Sequence, residues 1–274
     1  MKVRMPAVAG RFYEGTAERL DRQLDDCFAA GERSDGPKAP FIGAVVPHAG
    51  LMFSGHVAAS FFATHQLPRR YFILCPNHTG EGHFAAIQTT GAWRTPLGDA
   101  PIDSDLAQAV MARTKLIRED AAAHAREHSL EVQLPFLQRL RPDFSFVPLC
   151  LGAHRYEVAE EIGEAIAAAV ADAGEPVGIV ASSDLNHYED QQATLRKDQI
   201  AIDRILALDA RGLWDEVAAF DVSMCGFIPV TTMLVAARRL GASGASLVRH
   251  ATSGDVNHDY AQVVGYAACA ITKN

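Results

Sequence analysis

The chain has 274 residues, 49% hydrophobic and 21% charged, a balance that supports a packed core and excludes a disordered chain. A formal net charge of −8 argues against broad contact with a phosphate backbone, so nucleic acid is set aside as a partner. The cysteines at 27, 75, 150, 225 and 269 form no CxxC pair or disulfide framework, and no apolar run is long enough to span a bilayer.

At the start, Lys2 and Arg4 precede only a short apolar stretch before Arg11 and Glu14 interrupt it. That is not a signal-peptide pattern, and a cytoplasmic, unanchored protein is the expectation. Ala17 to Ala30 reads as a helix, with Gly31 to Pro40 as a short connection to the first core strand. The apolar run Phe41–Val46 reads as a buried strand and leads into Pro47-His48-Ala49-Gly50. Tyr71–Leu74 repeats the arrangement, leading into Cys75-Pro76-Asn77-His78-Thr79-Gly80.

Further on, Glu127-His128-Ser129-Leu130-Glu131 opens a helix marked by Leu130, Leu134 and Leu137 and ended by Pro142, which puts His128 in its first turn. The positive end of a helix lowers an imidazole's pKa and favours a neutral base or donor. An exposed capping-region histidine is the equal alternative. Phe144–Leu149 is the next strand. Val158, Ile162, Ile166 and Val170 then recur every four residues, with Ala165 and Ala169 beside them on one helical face. Val177–Ala181 is a strand leading into Ser182-Ser183-Asp184-Leu185-Asn186-His187-Tyr188, and helices are expected over Ile200 to Leu208 and Leu213 to Phe220.

Met224-Cys225-Gly226-Phe227-Ile228-Pro229 precedes a helix through Thr231 to Leu240, with Pro229 suited to its first turn. A thiolate just before a helix N-terminus is stabilised, the form needed in a nucleophile or metal ligand; an inert buried cysteine is the alternative for Cys225. Cys75, Cys150 and Cys269 lie inside apolar runs and read as small buried hydrophobes. Ala245–Val248 and Gln262–Ile271 complete the strands.

Strands alternating with helices imply an α/β fold: one domain over residues 1–274, with a mainly parallel sheet covered by helices on both faces. His48, His78 and His187 each follow an apolar strand, in turns rich in Pro, Gly, Asn or Ser. The carboxyl ends of strands are where open α/β sheets bind ligands. For any one histidine a solvated turn or cap is the simpler reading. Three in equivalent positions point to a shared site. No HExxH, GxSxG, P-loop or dinucleotide fingerprint is present.

Taken in order, Ala9-Gly10-Arg11-Phe12-Tyr13, Pro47-His48-Ala49-Gly50, Pro76-Asn77-His78, Glu127-His128-Ser129-Leu130-Glu131, Ser182-Ser183-Asp184 with His187, and Cys225-Gly226 resemble the Memo family over nearly the whole chain. Bacterial and archaeal members of that family are named protein B of the Ammecr–Memo–radical-SAM set. The resemblance implies a fold similar to class III extradiol dioxygenases, in which two histidines and a glutamate hold Fe(II). By motif, His48 and His78 match the two ligand histidines, while His128 and His187 match a pair that moves protons. The third metal position, a glutamate in the dioxygenases, is Cys225 here, and Asp184 would orient His187 or approach the metal.

A thiolate in place of a carboxylate donates more charge to iron and also suits copper(I) or zinc. Three functions follow from the resemblance. The first is an iron-dependent oxidoreductase acting on a small substrate. The second is a peptide- or phosphopeptide-binding module using the same cleft, and the third is a zinc hydrolase. A pathway link to a radical-SAM protein and an Ammecr-type protein is also implied.

Overall fold

The computed structural model describes residues 2–31, 37–152 and 155–273, so the connection read between Gly31 and Pro40 lies partly outside the described residues. Val3–Arg4 (β1), Ala17–Ala30 (α1), Gly43–Val46 (β2), Leu51–Thr64 (α2) and Arg70–Pro76 (β3) come first. Ala85–Ile87 (β4), Ala92–Thr95 (β5), Gly98–Pro101 (β6), Ser104–Met111 (α3) and Arg118–Glu119 (β7) follow. Next are Ala122–Ala125 (α4), Leu134–Leu140 (α5), Ser145–Leu151 (β8), Tyr156–Ala171 (α6), Val177–Ser182 (β9) and His187–Glu189 (β10). Gln191–Leu206 (α7), Ala210–Ala219 (α8), Phe227–Arg239 (α9), Gly244–Thr252 (β11), Gly254–Asn257 (α10) and Val263–Thr272 (β12) complete the order.

The main sheet runs β10-β12-β2-β9-β3-β8-β4-β7, with β11 also on β12. Its centre, β2-β9-β3-β8, is parallel, as the alternation of strands and helices requires. Outside that centre β12 runs antiparallel to β2, β11 and β10, and β4 antiparallel to β8, while the edge pair β4–β7 is parallel. The sheet is therefore mixed. Between β11 and β12 stands only the single turn of α10, too short for the crossover a parallel pair needs. A separate small sheet, β1-β5-β6, holds the N-terminal strand.

Alternation along each central strand divides the core in two. In β3, Phe72 and Leu74 face one cluster with Ile162, Ile166 and Leu234, while Tyr71, Ile73 and Cys75 face the other with Phe61, Phe62 and Phe136. Cys75, Cys150 and Cys269 are fully buried among these side chains. Helix α2 has no counterpart in the sequence reading. Its Leu51, Val57, Ala58, Phe61 and Phe62 are buried around much of its circumference, which erases the apolar stripe that marks an amphipathic helix.

The Leu-rich helix starts later than its sequence suggests. A 3-10 turn occupies Glu131–Gln133 and α5 begins at Leu134, with Pro135 in its first turn. His128 therefore stands in the loop before the helix, not in its first turn.

His124 lies in the second core, edge-on to Trp93 with ring centroids 5.6 Å apart. Burial, and then the nearby Arg4 guanidinium, holds its pKa down to about 4 from an ordinary 6.5. The unfolded chain thus binds this proton near pH 6.5 and the folded protein only near pH 4. Stability from this group is complete above pH 6.5 and is lost as pH falls through that window, about 3 kcal/mol by its lower end. Urea denaturation across the window should show this slope, and His124→Leu should flatten it. An unchanged slope in the variant would assign the effect to other groups.

Candidate metal centre

The parallel register brings the ends of three strands to one edge. Val46 pairs with Ser182, and Leu74 with Ala181, so His48, His78 and Asp184 all emerge on the same side of the sheet. His128 joins them from the loop ahead of α5, Cys225 from the turn ahead of α9, and His187 from the first residue of β10. All six line one cavity of about 640 Å³. Donor atoms of His48, His78 and His128 lie within 4.8 Å of one another. The rings of His78 and His128 stack at 4.8 Å, and both meet His48 edge-on at 5.3 and 5.6 Å.

Hydrogen bonds fix which nitrogen of two rings is free. Ser182 Oγ donates its only proton to the Ser129 carbonyl at 2.7 Å. It must then accept from both Gln133 Nε2 at 2.8 Å and His48 Nδ1 at 3.0 Å. His48 consequently carries its proton on Nδ1 and offers a lone pair on Nε2. His78 Nδ1 donates to Glu127 Oε1 at 3.0 Å, a carboxylate oxygen that can only accept, so in the neutral ring the lone pair is on Nε2 as well. At His78 this is the carboxylate-backed arrangement of metal-binding histidines, and at His48 a buried serine hydroxyl takes the carboxylate's place.

The electrostatics suit that reading. Burial, then the neighbouring His78 and His128, pushes His48 well below its ordinary range and keeps it neutral. Burial also lowers His128. At His78 burial acts downward too, but the hydrogen bond and charge of Glu127 together outweigh it and the shift is upward. Glu127 is fully buried and also accepts from the His78 and Ser129 amides and the Ser129 hydroxyl. Burial raises its pKa, but these bonds and His78 bring the net value far below the carboxylate range.

Asp184 Oδ1 accepts from the His48 and Ala49 amides at 2.7 and 3.2 Å, tying two strand-end loops together. Its Oδ2 stands 3.9 Å from His48 Nε2, and burial raises its pKa. Rather than orienting His187, the described contacts of Asp184 hold the His48 loop. His187 is oriented by Ser223, whose carbonyl accepts from Nδ1 at 2.9 Å and whose hydroxyl accepts from its amide at 2.8 Å.

Cys225 Sγ lies 3.3 Å from His48 Nε2 and 3.3 Å from the Asp184 amide, but the three donors that converge among the described residues are His48, His78 and His128. The helix-terminus argument for a thiolate does not hold here. Burial, and then the charge of Asp184, pushes the thiol up, so Cys225 keeps its proton in the metal-free site. Releasing it would accompany coordination of an ion.

Sequence reading missed Glu127, Ser129, Gln133 and Ser182 as working parts of the site. Glu127 and Ser129 stand in the quoted Glu127–Glu131 segment, but a helix-opening interpretation hid them.

A family model described as Memo-like protein matches residues 4–270. The chain belongs to the Memo family. Among Memo relatives, a MEMO1 family protein of Methanopyrus kandleri is 45% identical over 97% of each chain. Another, of Methanothermobacter thermautotrophicus, is 41% identical over 97% of this chain and 99% of its own. The Memo chain also resembles the crystal structure of uncharacterized protein JW3007 from Escherichia coli K12. That match has a TM-score of 0.55 at 13% identity and covers 84% of this chain and 99% of the other, a likeness of fold alone. The single-domain α/β architecture with helices flanking a mixed sheet is consistent with the extradiol dioxygenase-like fold. Three histidines of this Memo chain could hold a metal ion. Among the described residues, no helix is long and apolar enough to cross a membrane.

Proposed function

We propose that this Memo-family protein is an iron-dependent oxidoreductase acting on a small substrate held in the 640 Å³ cavity. The observation that carries the reading is that Nδ1 of both His48 and His78 donates to a buried acceptor, which leaves Nε2 of each neutral ring as the donor atom for an ion in the one cavity that His128 and Cys225 also line. His48 and His78 would hold the ion, with Cys225 as the third donor and His128 as its competitor for that place. Bound Fe(II) would supply a redox centre with positions left open to a small molecule. His187, anchored through Nδ1, has Nε2 to take or give a proton in the cavity. Asp184 and Ser182 keep the His48 loop and ring in place.

Anaerobic titration with Fe(II), copper(I) and zinc tests this. Wild-type protein should take up one ion, and His48→Ala should not. Cys225→Ser should shift preference away from copper(I), because a soft ligand has been lost. Unchanged affinity in Cys225→Ser with loss in His128→Ala would instead identify an all-imidazole site. No uptake of any ion would remove the oxidoreductase and the zinc hydrolase together.

A peptide- or phosphopeptide-binding module is the second reading. It is favoured by Met52 and Tyr188, which line the cavity and are 66% and 71% exposed.

A further inference from the structure

Cys225 stands between two cavities. One is the cavity of the histidines; the other is a separate groove of about 380 Å³, and Cys225 is the residue that both linings share. Pro76, Asn77 and Phe84 of the loop after β3 form one wall of the groove. Leu151 at the end of β8 and Phe227 and Ile228 at the start of α9 form the rest.

The groove is built into the fold. Asn77 Nδ2 donates to the Glu81 carbonyl at 2.8 Å, and its Oδ1 accepts from the Thr79 hydroxyl and the Gly80 amide at 3.0 and 2.9 Å. The Gly152 amide donates to the Phe84 carbonyl at 2.7 Å and ties this loop to the end of β8. A wall fixed in this way is in place before any ligand arrives. Gly152 also keeps the groove open. Its φ is not left-handed, and a Cβ there would meet Asn77 Cβ at 3.4 Å and the Phe84 carbonyl at 3.9 Å, ordinary contacts. The backbone does not require glycine at this position, and what the glycine supplies is space.

The two linings select different chemistry. The histidine cavity presents Arg11, Asp184 and the imidazoles. Among the described residues no charged side chain lines the groove, and the amide of Asn77 is already taken by its own loop. An ion would lose its water there without gaining a partner, whereas a small uncharged molecule enters at little cost.

We infer that the groove is a second entrance, which brings a small uncharged molecule to the thiol of Cys225 while substrate fills the histidine cavity. Beyond the thiol, His48 Nε2 is 3.3 Å away. An oxidoreductase passes electrons between two reactants, and two entrances let them arrive independently. The inference rests on reading the histidine cavity as the substrate site, but access to the thiol needs no bound ion.

Alkylation of metal-free protein by iodoacetamide and iodoacetate, reagents of similar size and different charge, tests it. The other four cysteines are buried, so peptide mass mapping reads Cys225 alone. Each rate is taken relative to that of a free small thiol, which removes the intrinsic difference between the reagents. Gly152→Val narrows the groove and should slow iodoacetamide by about tenfold, equivalent to about 1.4 kcal/mol of barrier. Iodoacetate, which enters by the histidine cavity, should keep its rate. Phe84→Ala, at the exposed rim, should speed iodoacetamide and keeps the test open if Gly152→Val does not fold. Iodoacetamide rates unchanged by the folded variants, or both reagents altered alike, would overturn the entrance. Metal titration of the same variants separates the two readings. Failed uptake with selective alkylation removes the metal site and leaves the entrance, whereas intact uptake without selectivity sinks the entrance alone.

Discussion

Replacing Glu131 by alanine should lower the free energy of unfolding by about 3–5 kcal/mol, the cost of breaking a buried ion pair. Glu131 is fully buried, with its carboxylate shared among Arg4, the Tyr13 hydroxyl and the Ala7 and Val8 amides. Removing it leaves Arg4 charged and buried against Trp93, with only backbone carbonyls of His124, Met5 and Glu127 to satisfy it. Two amides also lose their acceptor. Urea denaturation of the variant measures the loss. The double variant Arg4→Met with Glu131→Leu should recover a large part, since apolar replacement of a whole pair is tolerated far better than removal of one member. A loss under about 1 kcal/mol, typical of an exposed pair, would show that the N-terminal loop is held by other contacts.

Glu127→Gln should weaken metal binding by roughly 10–100-fold, as loss of an orienting partner does at metal sites. The carboxylate is ionised at neutral pH and accepts the Nδ1 proton of His78, which aims Nε2 into the cavity. A glutamine keeps one acceptor but turns an NH₂ towards a site that now receives an N–H, so two donors face each other. Whichever way the amide turns, one of the two His78 N–H groups loses its acceptor, and the ring loses the basicity that the carboxylate charge added. Anaerobic titration beside a thermal melt separates the two effects, because the melt reports any general loosening. Undiminished affinity in a well-folded variant would remove His78 from the ligand set.

The parts of this site that were legible in the sequence share one cause. His48, His78 and His187 follow apolar runs that must be strands, and a parallel centre forces the ends of such strands to one edge. Cys225 was legible through the Gly and Pro that bound its turn. Glu127 and Ser182 were not, because a buried carboxylate or hydroxyl and an ordinary surface one look alike in a sequence. Only the fold shows that both residues are wholly enclosed.

The same limit explains the other differences. Helix α2 has no stripe because nearly every side meets protein. The late start of α5 was marked by Pro135, which suits a first turn, but the regular leucines drew the helix back to His128. The mixed character of the sheet depended on how little chain separates β11 from β12. The expected thiolate at Cys225 weighed the helix end and could not weigh burial.

The place of β12 has a consequence for the order in which the protein can be made. This strand, made after every other strand of the sheet, lies between β2 on one side and the β11 hairpin on the other, and it also pairs with the short strand that carries His187. Val45 waits for Cys269. A nascent chain that has passed β9 therefore holds the parallel centre with an open flank, an edge available to any other extended segment. Val264 and Tyr266 of the cavity wall are still missing from it. Loading with an ion or a ligand at that stage would meet half a vessel. Pairing across so long a stretch of chain is slow, and until β12 arrives the flank of β2 stays open to pairing with other chains.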